Sequence, residues 1–510
     1  MRKSALALAL PIVLLVVLWA TRITALDIFP LHTDEGLHLT RAIEVWHLHP
    51  FWEINDGKII NHWLIALFYP QNAPVFVGRI ATVFIALIGL AAAYALTRHY
   101  FGTLAAFLAG ALWITSPYLF LYERFAFADA ESGALLVVTL LLSLRLARTG
   151  GWRDAILTGL ALALSALFKL TAAPFALMVF LIVMLVGKVA LRRRIGNLVL
   201  IGVVVAACFA VPVIYVFAHG GGFSIALSWI AGSDSTSTGT HGVEGCRACA
   251  NLVRLGQQLV GFGSALWAVA LVAGLVALIL LSRRWFGLIL VVAAMTPMAV
   301  MVFLGTDVQP RHFVVALPLA LTLAGAGLGV AIELRLQAAS YPEIAFYAPS
   351  NNGLGVVLAA AIGGFLLYTF APFAAIAYTD PGHLPLPPLE RQQYVTDHSA
   401  GFGLREAVIT LSSGGLANGL PVIASMFADS CRRANFYATS GFLLTCVDAP
   451  GLGAIQTALA DRGAVYVLVE RPPIGLDMSQ FGARAQRVGS FPRPGETPDS
   501  ASVVLWRLEK

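Results

Sequence analysis

The chain has 510 residues, 58% of them hydrophobic and only 12% charged, about half the charged share of an ordinary soluble domain, which excludes a disordered or soluble polar protein. Mean hydropathy is +0.81, and the apolar residues gather in repeated runs of roughly 20, the length at which a helix crosses a bilayer. With a formal net charge of only +6, nucleic-acid binding is a poor reading, and the placement of the cations carries more information than their sum.

The first apolar run, Ser4 to Ala20 behind Arg2 and Lys3, reads as an uncleaved membrane helix, because the TRITALD that follows lacks a small-x-small cleavage site. Further spans are expected at about 74–97, 103–121, 131–147, 154–172, 174–190, 198–217, 259–281, 285–304, 312–332 and 353–373, eleven in all. Arg98, Arg145, Arg148, Arg153, Lys188 and Arg192 to Arg194 then fall on one side, as do Arg283, Arg284 and Arg335; the positive-inside rule makes that side the cytoplasm. An odd number of spans places everything beyond about 375 outside. The expected fold class is a polytopic α-helical membrane protein with a small C-terminal extracytoplasmic α/β domain. Its parts are a membrane module over 1–374 with outside loops at 21–73 and 218–258, a proline-rich connector over 375–390, and the α/β domain over 391–510.

In the first loop, INHWLIALFYP (Ile60 to Pro70) is too short to span and reads as a helix lying in the interface or packed on neighbouring spans. The second loop carries GSDSTSTGTHG (Gly232 to Gly242), too polar to bury a core. PGHLPLPP (Pro381 to Pro388) reads as an extended, stiff connector. Strand-like runs at 421–426, 464–470 and 502–508 alternate with helix-like runs near 404–411 and 452–461, which suggests an α/β layer. Cys246, Cys249, Cys431 and Cys446 all fall in outside segments, where disulfides form, and Cys208 lies in an apolar run. Pairing within each region is expected, with a metal at Cys246, Cys249 and His241 or free thiols left open.

The residues that could carry chemistry sit at span ends. Asp34 and Glu35 follow the first span, and a helix from Asp34 would put Asp34, His38 and Arg41 on one face. A plain acidic helix start explains the pair equally well. Glu123, Arg124 and Asp129 lie between the third and fourth spans; Arg124 and Asp129 point about 140° apart on an ideal helix, so each needs another partner. Lys169 interrupts two apolar runs, and Gln309, Arg311 and His312 precede the tenth span. Arg124, Lys169 and Arg311 thus reach one membrane face from separate parts of the chain, as recognition of a lipid phosphate requires, while snorkelling to water is the simpler alternative. His47, His49 and His62 accompany Glu44, Glu53 and Asp56 at spacings that match no standard metal motif.

This arrangement resembles the GT-C superfamily of integral-membrane glycosyltransferases, especially the bacterial lipid A aminoarabinose transferase and protein O-mannosyltransferase group. The similarity rests on the Asp34-Glu35 pair after span one, the Arg-x4-Asp pattern of Arg124 and Asp129, the Arg311-His312 step before a late span, and the outward C-terminal domain. It covers the whole topology; Gly36 departs from it, standing where relatives often carry a larger residue. The resemblance implies a sugar donor on a polyprenyl phosphate and transfer to a lipid, glycan or protein acceptor on the extracytoplasmic face of the cell membrane. Asp34 would be the general base, Glu35 and Asp129 would orient the acceptor or a divalent metal, and Arg124, Lys169, Arg311 and His312 would hold the donor phosphate. A transporter or flippase of an anionic lipid is the competing reading, disfavoured because transporters place polar groups on broken helices near the midplane.

Overall fold

The computed structural model describes the chain apart from residues 1, 70–72, 224–245, 283–284, 306–309, 341–352, 414–418, 426–427, 439–443, 448–451 and 471–477. The Gly232 to Gly242 run, His241 and Gln309 therefore lie outside the described residues. Two compact units emerge: one of Met1–Leu26, Glu44–Phe68 and Arg79–Ala375, the other of Asp27–Ile43, Tyr69–Gly78 and Ile376–Lys510.

The first unit is a bundle of apolar helices. The eleven expected runs lie largely on helix, the one at 174–190 on a succession of 3-10, α and π turns that ends at Val186. Six helices among the described residues are long and apolar enough to cross a membrane, or up to eight if each of two bent pairs is one span. One pair, Thr103–Thr115 and Pro117–Glu123, bends by 65° at Ser116, whose Oγ accepts the Leu119 N–H at 3.2 Å while Pro117 supplies the first helical residue. The other, Arg247–Gly263 and Ala265–Leu281, turns through 116° at Ser264, which has φ 84°. The run expected at 259–281 is therefore shorter: residues before Ser264 belong to an amphipathic helix that buries Asn251, Gln258 and Phe262. Small residues let the bundle close. A Cβ on Gly325 or Gly329 would collide with the backbone of Ala109 or Ala105, and one on Gly274 with that of Ala324, a close approach that in lipid replaces the hydrophobic drive between helices.

The first loop of this unit is folded. The expected interfacial segment forms the helix Asn61–Ala66, which buries Asn61, His62, Ile65 and Ala66 and leaves Leu67 and Tyr69 exposed. Trp46 Nε1 donates to the Ala66 carbonyl at 2.9 Å, and Trp63 Nε1 to that of Pro50 at 2.6 Å. His62 is tied to the same Pro50 carbonyl at 3.1 Å and His49 to Glu44 at 2.8 Å, so these histidines serve the loop's own structure.

The second unit is built on a five-stranded sheet of order β2-β1-β3-β5-β4, with β1 Val422–Ser425, β2 Leu444–Val447, β3 Ala464–Glu470, β4 Ala485–Phe491 and β5 Val503–Glu509. β1 runs parallel to β2 and β3, while β5 is antiparallel to β3 and β4. The alternation of β3 explains the two layers: Tyr466 and Leu468 pack with Leu404 and Val408 on one face, and Val465, Val467 and Val469 with Ile455 on the other. The expected strands and helices appear; β2, β4 and the helix Ala428–Asn435 escaped the sequence reading because β2 and β4 are half-exposed edge strands without an apolar alternation. Cys431 is bonded to Cys446, with Cα atoms 5.8 Å apart, and in the other unit Cys246 is bonded to Cys249. Residues 375–390, expected as an extended connector, instead include a 3-10 turn at Pro381–His383 and a helical turn at Pro388–Arg391. Arg391 donates to the carbonyls of Leu384 and Gly382, both at 3.2 Å, which folds the proline run back on itself.

Candidate functional site

In the membrane unit, Asp129 stands in the first turn of the helix Ala128–Thr149, where a carboxylate is favoured by the helix dipole. Lys169 ends the helix Trp152–Phe168 with extended backbone, φ −150° and ψ 120°. The two helices are pinned by Ser132 and Ser165, each hydroxyl donating to the other's carbonyl at 2.9 and 2.8 Å. Lys169 Nζ consequently donates to Asp129 Oδ1, with the two side chains 2% and 5% exposed. The partner that Asp129 required is supplied by the neighbouring helix.

The first loop adds a cation. Ile59 N–H donates to the Leu167 carbonyl at 2.9 Å and Leu170 N–H to that of Gly57 at 3.0 Å. This short pairing sets Lys58 beside Lys169. Lys58 is 3% exposed and its Nζ lies 3.2 Å from Asp56 Oδ2. Arg311 and His312 come from the short helix Pro310–Val314, anchored where Tyr118 OH donates to the Pro310 carbonyl. Tyr118 itself stacks on Phe262 at 4.3 Å. The charges of Lys58, Lys169 and Arg311 all act on His312, and those of Lys58, Arg311 and Asp129 act on Lys169. Two buried cations, Lys58 and Lys169, and the half-buried Arg311 thus share one locus with the buried Asp129 and the half-buried Asp56. Such a site favours an incoming anion, and a phosphate carries the charge and acceptor oxygens to meet it.

Arg124 does something else. Its Nη1 donates to the carbonyls of Arg22 and Thr24 at 3.0 and 2.6 Å, and its Nη2 to that of Ala25 at 2.7 Å. It caps the C-terminal end of the helix Arg2–Ile23, where a cation satisfies the last carbonyls and the dipole together. In this structure Arg124 thus serves as a helix cap. Glu123 is structural too, accepting from Arg22 Nε and from Trp113 Nε1, both at 2.7 Å.

The acidic pair belongs to the other unit. The helix Thr33–Trp46 opens with a reciprocal cap: Asp34 N–H donates to His32 Nδ1 at 3.1 Å and His32 N–H to Glu35 Oε2 at 3.0 Å. This is the capping-box arrangement with histidine in the usual serine position. Glu35, expected beside the base, is fully buried and holds the helix start, which leaves Asp34 as the half-buried carboxylate. Arg433, missed in the sequence, locks this corner. Fully buried, it donates to the carbonyls of Leu31, Ser399 and His398 at 3.2, 3.1 and 2.8 Å. A Cβ on Gly36 would come 2.7 Å from Arg433 Cγ, which explains the departure at that position. Arg405 donates to the Ile28 carbonyl at 2.5 Å, and Leu31 N–H to Tyr437 OH at 2.5 Å. The Asp34 segment, expected within the membrane module, is thus folded into the C-terminal unit. Among the described residues no group of three or more His, Cys, Asp or Glu is placed to hold a metal.

A family model for dolichyl-phosphate-mannose-protein mannosyltransferases matches residues 49–215, a span that contains Lys58, Asp129 and Lys169. No curated protein matches the sequence. Among solved structures, ArnT from Cupriavidus metallidurans bound to undecaprenyl phosphate is 15% identical with a TM-score of 0.61, covering 97% of both chains. Its apo state gives 16% and 0.58, covering 99% of this chain and 98% of that one. The archaeal oligosaccharyltransferase AglB from Archaeoglobus fulgidus, in complex with an inhibitory peptide and a dolichol-phosphate, is 11% identical with a TM-score of 0.53, covering 92% of this chain and 70% of that one. The chain is a multi-pass membrane protein with the GT-C fold of integral-membrane glycosyltransferases, and it resembles the ArnT and protein mannosyltransferase group.

Proposed function

We propose that this protein transfers a hexosyl or pentosyl group from a polyprenyl-phosphate donor to a hydroxyl-bearing lipid, glycan or protein on the extracytoplasmic face of the cell membrane. The observation that carries this reading is the cluster of the buried Lys58 and Lys169 with the half-buried Arg311, in a fold shared with structures that hold undecaprenyl phosphate and dolichol-phosphate. Asp34 accepts the acceptor's hydroxyl proton as that oxygen attacks the anomeric carbon; the bond from that carbon to the phosphate oxygen breaks, and its electron pair leaves with the lipid phosphate. Attack opposite the leaving group inverts the anomeric centre. The three cations stabilise the charge that grows on the phosphate, and Lys58 and Lys169 act more strongly for being buried. The C-terminal unit, in this reading, carries the base and fixes its helix through Arg433.

Mass spectrometry of lipids co-purifying with the full-length protein, followed by incubation with candidate lipid-linked sugars, tests the proposal. A retained polyprenyl-phosphate sugar that is consumed, with free polyprenyl phosphate appearing, supports it. A lipid-linked sugar that crosses a vesicle bilayer unchanged would favour the transporter reading instead.

A further inference from the structure

A cavity lies in the membrane unit at the end of the bundle that carries the basic loops, at the opposite end of the helix Ala128–Thr149 from Asp129. Its volume is about 730 Å³, within the usual range for small-molecule sites. Arg148 and Lys188 are its charged lining residues, and none of its lining side chains is acidic. Both cationic residues are exposed, with Lys188 fixed through its main chain and Arg148 through its side chain. Lys188 N–H donates to the Ala147 carbonyl at 2.9 Å, beside Arg148, and Arg148 Nη1 lies 2.7 Å from His99 Nε2. The neighbouring arginines are differently engaged: Arg145 pairs with Asp154 at 2.9 Å, and Arg193 donates to the Gly150 carbonyl at 2.8 Å.

The walls are those of a lipid site. Tyr100, Phe101 and Phe286 pack together, with centroids 5.8 and 5.9 Å apart, and Trp285 is 71% exposed, as aromatic rings at the level of lipid headgroups are. Leu144, Leu185 and Ile289 supply an apolar floor. The helix Phe286–Leu304 begins here, its Gly287 N–H held by Ser282 Oγ at 2.8 Å, and the positive end of its dipole faces the same side as the two cations. A free anion would use the charged rim and leave the aromatic and aliphatic walls uncovered; a phosphate carrying acyl chains satisfies both.

We propose that this cavity binds the headgroup and upper acyl carbons of an anionic glycerophospholipid from the leaflet facing the basic loops. It is separate from the donor site, and the proposal does not depend on the transfer reaction. The test is native mass spectrometry of the full-length protein with added phosphatidylglycerol or phosphatidylcholine, for the wild type and an Arg148→Gln/Lys188→Gln variant. Two cations near a membrane surface predict about a thirtyfold preference for phosphatidylglycerol, lost in the variant. Equal retention of the two lipids by the wild type, or an undiminished preference in a variant that elutes as a folded monodisperse species, would overturn it. So would displacement of phosphatidylglycerol by millimolar inorganic phosphate, which marks a free-anion site, or stronger retention of polyprenyl phosphate, which marks a second donor site.

Discussion

Removing the charge of Lys169 has two separable consequences. Lys169 and Asp129 are 2% and 5% exposed, so Lys169→Met or Asp129→Asn alone strands a buried ion, at a cost of about 3–5 kcal/mol. The double variant removes both charges and should return to within about 1 kcal/mol of the wild type. Donor binding follows a different pattern. Loss of one charged hydrogen bond to the donor phosphate is worth about 2 kcal/mol, roughly a thirtyfold weaker affinity, and it should appear in Lys169→Met and in the double variant alike. In Asp129→Asn the phosphate replaces the missing carboxylate, so donor should restore most of that variant's lost stability. Thermal unfolding in detergent with and without polyprenyl phosphate, together with a binding titration, measures both quantities. Wild-type affinity in the double variant would refute the phosphate assignment, whatever the stabilities.

Arg124→Ala should cost about 3 kcal/mol or more, since it leaves several helix-end carbonyls unsatisfied; the folded fraction should saturate with donor as the wild type does, which a donor titration on monodisperse protein checks. Glu35→Gln should retain most activity in a transfer assay, because the amide oxygen can still accept the His32 N–H. Reducing Cys431–Cys446, a separation of 15 residues, should destabilise the C-terminal unit by about 3 kcal/mol, as read by limited proteolysis of wild type and a Cys431→Ser/Cys446→Ser variant. The hydrogen bond from His398, outweighing burial, holds the Asp397 carboxyl below its ordinary value of 3.8. Its stabilisation is therefore full above that value and lost as pH falls through the lower folded one, so the gap between wild type and Asp397→Asn in acid unfolding should close on the acid side.

The membrane fold was legible because apolar runs of bilayer length are a strong periodic signal, and the central strand β3 because its residues are buried on both faces. Lys169 and Arg311 were legible as charges interrupting apolar sequence. Lys58 was not, since INDGK reads as an ordinary polar turn and its place depends on backbone pairing of 57–59 with 167–170, a contact across more than a hundred residues. Arg124 shows the converse: its spacing from Asp129 correctly demanded another partner, but that partner is the end of a distant helix, invisible to any local pattern. Arg433 was hidden for the same reason. Gly36 is a sequence trace of it, a residue whose missing side chain marks where the arginine passes.

Asp34 is proposed to remove the acceptor proton in a transfer from a lipid-phosphate donor. A single-turnover experiment with radiolabelled polyprenyl-phosphate sugar and a hydroxyl acceptor, comparing wild type with Asp34→Asn, isolates that step. Donor binding should be unchanged and the transfer rate lower by about 10²–10⁴-fold in the variant. Transfer by Asp34→Asn at the wild-type rate would contradict it.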